Sequence, residues 1–133
     1  MLQEGQVATR IPVKDLARAR GFYAEKLGLE PSEERPGGLL YRCSSGEFAL
    51  FESSGASPGT FTQMAWHVED IEAEVETLRS RGVVFEEYEV PGLTTVNGIA
   101  QVEGNYPSKG SGERGAWFRD SEGNLLALGQ SLP

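Results

Sequence analysis

The stretch Val13-Lys14-Asp15-Leu16 decides the fold, because Val68-Glu69-Asp70-Ile71 repeats its pattern 55 residues later. Each copy follows a short apolar run and precedes a segment whose apolar residues recur at helical spacing. Each helical segment ends at a glycine, in Leu27-Gly28-Leu29 and in Arg81-Gly82-Val83. A repeated order of strand, aspartate, helix and glycine indicates two copies of one supersecondary module. Two such modules can face each other and enclose a pocket.

Composition and charge indicate one globular domain of residues 1–133. The length lies near the commonest domain size, and the hydrophobic fraction of 38% is typical of a water-soluble chain. The net charge of −8 makes nucleic acid and anionic membranes unexpected partners, because both require a basic face. Met1–Glu4 lacks the pattern of a signal peptide. Cys43 is the only cysteine, which excludes an intramolecular disulfide and suits a cytoplasmic location.

The chain divides into module one (residues 1–55), a linker rich in serine and glycine (residues 53–60) and module two (residues 61–133). Asp15 and Asp70 are predicted to cap the two helices, because an aspartate carboxylate accepts from the free amides of the first turn. Residues 105–114 are expected to be mobile and to form a lid or a dimer contact. The predicted strands are Gln6–Val13, Leu39–Cys43, Glu47–Glu52, Phe61–Val68, Val83–Val90, Thr95–Val102, Ala116–Arg119 and Leu125–Leu128.

This layout, with Val13–Leu16, Phe22-Tyr23, Leu27–Leu29 and Trp117–Asn124 (W-F-R-D-S-E-G-N), resembles the vicinal oxygen chelate superfamily over essentially the whole chain. That superfamily holds glyoxalase I, extradiol dioxygenases, fosfomycin-resistance enzymes and bleomycin-resistance proteins. The resemblance implies an α+β fold of two tandem β-α-β-β-β modules, which form curved mixed sheets around a cleft, and a homodimer. It does not fix the function, because the superfamily includes both enzymes and pure binders.

The resemblance also implies where a metal would be held, by side chains from the first and last strand of each module. In this chain those positions are Ala8, Leu50, Gln63 and Ala127. Three of them carry no donor atom, and a neutral glutamine amide alone does not hold a divalent metal against water. His67 is the only histidine, which excludes a two-histidine site. The alternative is one divalent metal at a displaced site of Gln63, His67 and Glu52.

Strand alternation gives the candidate pocket residues. Arg10 shares a face with Ala8, and His67 shares a face with Gln63. Arg10 would suit a ligand carboxylate, phosphate or enolate, or would pair with Glu52. His67 is either a hydrogen-bonded histidine at a strand end or a general base. Trp117 is either core or an aromatic wall for a planar ligand. The candidate ligand-binding residues are Arg10, Leu50, Gln63, His67, Trp117 and Ala127.

The expected function is that of a glyoxalase/bleomycin-resistance-like protein that binds a small organic molecule, an antibiotic or a metabolite, without a metal or other cofactor. The acidic chain would suit a cationic ligand of the bleomycin kind. The alternatives are a divergent metal-dependent lyase, isomerase or dioxygenase, and a metal-free proton-transfer enzyme that uses His67 and Arg10. A structural or regulatory dimer without a ligand is a third reading. The sequence leaves open whether the cleft lies within one chain or is shared across a dimer.

Overall fold

The computed structural model describes residues 1–104, 106 and 112–133. Module one contains strands β1 (Thr9–Val13), β2 (Glu33–Arg35), β3 (Gly38–Arg42) and β4 (Glu47–Glu52) and helix α1 (Leu16–Glu25). Module two contains β5 (Thr62–His67), helix α2 (Ile71–Ser80), β6 (Glu89–Val90), β7 (Leu93–Thr94), β8 (Ala100–Val102), β9 (Glu113–Arg119) and β10 (Leu125–Ser131). No helix of the described residues is long and apolar enough to cross a membrane. Most of the predicted mobile segment, residues 105–114, lies outside the described residues.

The two modules have the same sheet topology, which confirms the α+β fold. Their strand orders are β1-β4-β3-β2 and β5-β10-β9-β8, and β6 and β7 form a separate ribbon. In each four-stranded sheet the first strand pairs parallel to the last, and the other pairings are antiparallel. β1 and β5 are therefore both edge strands of their sheets.

Both helices begin where the sequence predicts. The Asp15 carboxylate accepts a hydrogen bond from the Arg18 amide at 2.9 Å, and the Asp70 carboxylate accepts from the Ala73 amide at 3.1 Å. Each bond satisfies an amide that has no partner within the helix. Gly28 follows α1 with a φ of +70°, a conformation that glycine adopts without steric cost.

Module two departs from the predicted strands. The predicted strand Val83–Val90 is a strand only at Glu89–Val90, and its earlier part is held by an isolated bridge from Phe85 to Phe118. The predicted strand Thr95–Val102 is shortened, because Asn97 and Gly98 both have positive φ and turn the chain before β8. In module one, β2 was not predicted, since its three residues are all charged and exposed.

One hydrophobic core joins the modules. It contains the helix-side residues of both sheets, including Ile11 and Leu50 from module one and Leu126 from module two. The ring of Phe48 meets that of Trp66 edge to face at 5.8 Å and so connects the two sheets directly. The face of each sheet that contacts this core is called here its helix side, and the opposite face its open face.

Candidate functional site

The open face of module one is set by strand alternation and pairing. Arg10 and Pro12 of β1 alternate with the core residues Ile11 and Val13, so they point away from the helices. Pairing places Arg10 beside Ala49 and Pro12 beside Phe51. The next strand across adds Leu40, opposite Ala49, and Gly38, opposite Phe51.

A groove of about 390 Å³ lies over this open face. It runs from β1 across β4 and β3 to the turn at Pro36 and Gly37. The Arg10 guanidinium carbon lies 4.2 Å from the centroid of the Phe51 ring, within cation–π distance. The groove therefore combines an aromatic surface with a cation.

The open face of module two has a floor of small residues. Pairing across β5, β10 and β9 forms one row of Ala65, Ala127 and Trp117 and a second row of His67, Gly129 and Gly115. Their neighbours Met64, Trp66, Leu126 and Leu128 all pack on the core, so these rows face the other way. Besides Trp117 and His67, the other four positions of these rows are alanine or glycine; Ala65 is exposed, whereas Ala127, Gly115 and Gly129 are buried.

Trp117 covers part of this floor. A Cβ atom on Gly115 would lie 2.9 Å from Cη2 of the indole, so the ring lies directly over that glycine. The Tyr88 ring meets the indole edge to face at 5.7 Å. Trp117 is half-buried and lies outside the core cluster. Its position suits the aromatic wall rather than the core.

A polar group lies at one end of the same face. His67 Nε2 and Ser131 Oγ are 2.8 Å apart, within hydrogen-bond distance. Ser131 pairs with Glu113, whose carboxylate lies over Gly129, next to His67 in the sheet. This end of the face therefore presents an imidazole, a hydroxyl and a carboxylate to solvent.

Comparison with known proteins identifies the family. The model of the glyoxalase/bleomycin resistance protein/dioxygenase superfamily matches residues 5–128. The chain belongs to this superfamily. No curated protein sequence matches the chain.

Solved structures support the same fold. A glyoxalase/bleomycin resistance protein/dioxygenase from Alicyclobacillus acidocaldarius has 15% identity and a TM-score of 0.69, over 98% of this chain and 93% of that one. TnmS3, an antibiotic binding protein from Streptomyces sp. CB03234, has 22% identity and a TM-score of 0.64, over 97% and 98%. UcmS2 has 23% identity and a TM-score of 0.64, over 93% and 97%. At these identities the likeness concerns the fold alone.

The positions where superfamily enzymes hold their metal do not fit a metal in this chain. Ala8 precedes β1 and is exposed, and Ala127 lies in the floor of module two. Leu50 was expected to line the pocket; it pairs with Ile11, is fully buried, and borders the groove over module one from its core position in β4. Gln63 lies where the register between β5 and β10 shifts, and its side-chain oxygen is buried with no partner among the described residues. None of these side chains is a carboxylate, imidazole or thiolate donor.

The displaced site of Gln63, His67 and Glu52 is not assembled either. Glu52 pairs with Val13 on the helix side of module one, whereas His67 lies on the open face of module two. No three His, Cys, Asp or Glu side chains within residues 1–104, 106 and 112–133 could hold a metal together. Absence of a metal from the function itself stays a prediction.

Among residues 1–104, 106 and 112–133, the contacts found between the modules involve their helix sides. The modules contact each other through their helix sides, by Phe48 with Trp66 and by the Tyr23 hydroxyl, which donates to Asp120 at 2.8 Å. The groove over module one is lined only by residues between Arg10 and Phe51. A smaller cavity of about 210 Å³ does lie between the modules, but it is on the helix side, beside Trp66 and Phe118.

Sequence reasoning missed several residues of these faces. Phe51 and Ala49, rather than Leu50, form the open face of β4. Gly115 and Gly129 permit the close positions of Trp117 and Glu113, and two glycines at paired strand positions were a signal for this. Arg10 does lie on the open face of module one, and His67, Trp117 and Ala127 lie on the open face of module two.

Proposed function

We propose that this protein binds a small organic molecule, an antibiotic or a metabolite, without a metal ion, and that it acts as a cytoplasmic homodimer. The supporting observation is the open face of module two, where Trp117 adjoins a floor of Ala65, Ala127 and Gly129. The groove of about 390 Å³ over module one supplies the concave, partly apolar surface that a small-molecule site needs. TnmS3, which shares the fold, is an antibiotic binding protein.

The proposed cleft is shared between two chains. The open face of module one would oppose the open face of module two of a second copy, because the contacts found between the modules of one chain lie on their helix sides. Each face already supplies half of a site: a groove with an aromatic ring and a cation, and a small-residue floor with an indole. The outer edges of β1 and β5, which pair with no further strand among the described residues, would lie at the contact between copies.

The test is a ligand screen with a metal chelator present throughout. Antibiotics and metabolites are screened by thermal shift in excess EDTA, and the affinities of hits are measured by calorimetry. Trp117→Ala should weaken binding roughly 10-fold, since it removes an aromatic contact, and Trp117→Phe should retain most of the affinity. Val84→Ala, at an exposed position outside strands β5, β9 and β10, is the control. Binding that EDTA abolishes and one equivalent of a divalent metal restores would contradict the proposal, as would full affinity in Trp117→Ala.

A second candidate, a proton-transfer enzyme without a metal, is favoured by the contact of His67 with Ser131 at 2.8 Å on an open face. An imidazole held by a hydrogen bond and exposed to a ligand has the position of a general base. Here His67→Gln should abolish turnover of a bound molecule and leave its affinity unchanged. If the protein only binds its ligand, neither the wild type nor His67→Gln should convert the bound molecule.

A further inference from the structure

The groove over module one has a local charge opposite to that of the whole protein. The charged residues that line it are Arg10, Arg35 and Glu33, so the balance is positive, whereas the chain carries a net charge of −8. Glu33 is already neutralised, because its carboxylate lies 2.6 Å from Arg42 and 3.7 Å from Arg35. The positive charge of Arg10 is thus left over inside a concave, partly apolar surface.

Arg10 is not committed to a protein partner. The expected pair with Glu52 does not form, and Arg10 takes part in none of the ion pairs found among the described residues. Its described contact is the face of Phe51, at 4.2 Å. Stacking on a ring covers one side of the guanidinium plane and leaves the N–H groups at its edge available to an acceptor.

We propose that the ligand is an organic carboxylate with an aromatic or apolar body. The Arg10 guanidinium binds the carboxylate through two parallel hydrogen bonds, the geometry for which a planar fork is suited. The body of the ligand packs against Phe51, Leu40 and Ala49 in the groove. This inference rests on the proposed binding function and reverses the expectation of a cationic ligand that net charge alone suggests.

The experiment compares three probes of one shape and different charge: 2-naphthoate, 2-naphthamide and 2-naphthylmethylammonium. Their affinities are measured by calorimetry at low salt, with the dimer intact. We expect 2-naphthoate to bind at least roughly 10-fold tighter than the amide, because hydrogen bonds to a charged group are the stronger kind, and the ammonium to bind weakest. Added 0.5 M NaCl should reduce the preference for the anion, since salt screens exposed charges.

Arg10→Gln removes the charge and keeps a polar side chain, so it should make naphthoate and naphthamide bind equally. Arg20→Gln is the matched control, because Arg20 is an exposed arginine of α1 that pairs with Glu34, and its loss changes the net charge by the same amount. If Arg20→Gln lowers the preference as much as Arg10→Gln does, the effect is one of net charge and the inference is wrong.

The outcomes separate this inference from the function on which it rests. Binding of the amide or the ammonium as tight as that of the carboxylate would overturn the inference and leave small-molecule binding standing. Failure of all three probes to bind at millimolar concentration would count against both. If the protein prefers 2-naphthoate over the amide and the ammonium, and only Arg10→Gln removes this preference, the result supports both the inference and the binding function.

Discussion

Glu122 shows how one side chain joins the modules. It lies in the turn between β9 and β10, yet its carboxylate accepts hydrogen bonds from the amides of Lys14 and Asp15, both at 3.0 Å, before α1. It also accepts two from the Arg18 guanidinium, at 2.8 and 2.9 Å, and its side chain is 1% exposed. The hydrogen bond from Arg18, with smaller contributions from the backbone amides and Ser121, lowers the pKa of Glu122 to about 2, against the opposing effect of burial.

The pH dependence of stability follows from this pKa. The unfolded chain binds a proton at Glu122 near pH 4.5, and the folded chain does so only near pH 2. The stabilisation is therefore fully present above pH 4.5 and is lost as the pH falls towards 2, and it amounts to about 3 kcal/mol. In urea unfolding from pH 2 to 7, the difference between wild type and Glu122→Gln should be large at pH 7 and shrink at pH 2. Glu25→Gln, at an exposed position of α1, should leave the profile unchanged, and a constant difference for Glu122→Gln would contradict this origin.

The candidate site residues that do lie on open faces include two that stand close to a fixed point of the sequence. Arg10 and His67 stand within a few residues of Val13 and Val68, where the repeat sets the register of β1 and β5. Leu50 lies in a strand that was also predicted, but no marker fixed its register. Since alternate residues face opposite sides, an error of one position moved the expected side chain from the open face to the core.

Helix α1 is attached to the hairpin of module two by a buried hydrogen bond. The Tyr23 hydroxyl donates to Asp120 at 2.8 Å, and burial together with this carboxylate raises the pKa of Tyr23. Asp120 also accepts from the amides of Glu122 and Asn124, at 2.8 and 3.0 Å. The contact between helix α1 and the β9–β10 hairpin thus depends on the Tyr23 hydroxyl of module one as donor and the Asp120 carboxylate of module two as acceptor.

Two tyrosines of the same core make a matched comparison. Tyr23→Phe removes a donor from a buried carboxylate and should lower the free energy of unfolding by about 1–3 kcal/mol. Tyr41→Phe should be neutral or stabilising, because the buried Tyr41 hydroxyl has no hydrogen-bond partner among the described residues, and desolvation raises its pKa to about 12. Urea denaturation of the two variants measures the difference. Equal destabilisation by both would show that ring packing, not the bond to Asp120, is what matters.

The elements that sequence reasoning placed well are those with a local signal. Asp15 and Asp70 mark both helix starts, and Gly123, with a φ of +85°, marks the final hairpin turn. The segment Val83–Val90 has the alternation of a strand, yet most of it bridges its neighbours only once, at Phe85. Strand formation there depends on a partner distant in sequence, which periodicity does not report.

At the scale of the whole molecule, the placement of the two open faces bears on whether one chain can form the proposed ligand site. The modules share a core through their helix sides, and the groove with Arg10 and the floor with Trp117 lie on the opposite face of their own sheets. In the proposed site, which uses both faces, the second face comes from a second copy. A closed dimer with two-fold symmetry would contain two identical clefts, each with module one of one copy and module two of the other.

Mixing two variants tests this arrangement. Phe51→Ala removes the aromatic ring from the open face of module one, and Trp117→Ala removes it from the open face of module two. The homodimer of either variant should therefore bind 2-naphthoate poorly. In a mixed dimer, one cleft combines the two intact faces and the other combines the two altered ones. When equal amounts of the two variants are unfolded and refolded together, about half of the dimers should be mixed. About a quarter of all clefts should therefore regain wild-type affinity. If each cleft lay within a single chain, mixing would restore nothing, so titration of the mixture decides between the two arrangements. The same wild-type protein should sediment as a dimer at the concentration used.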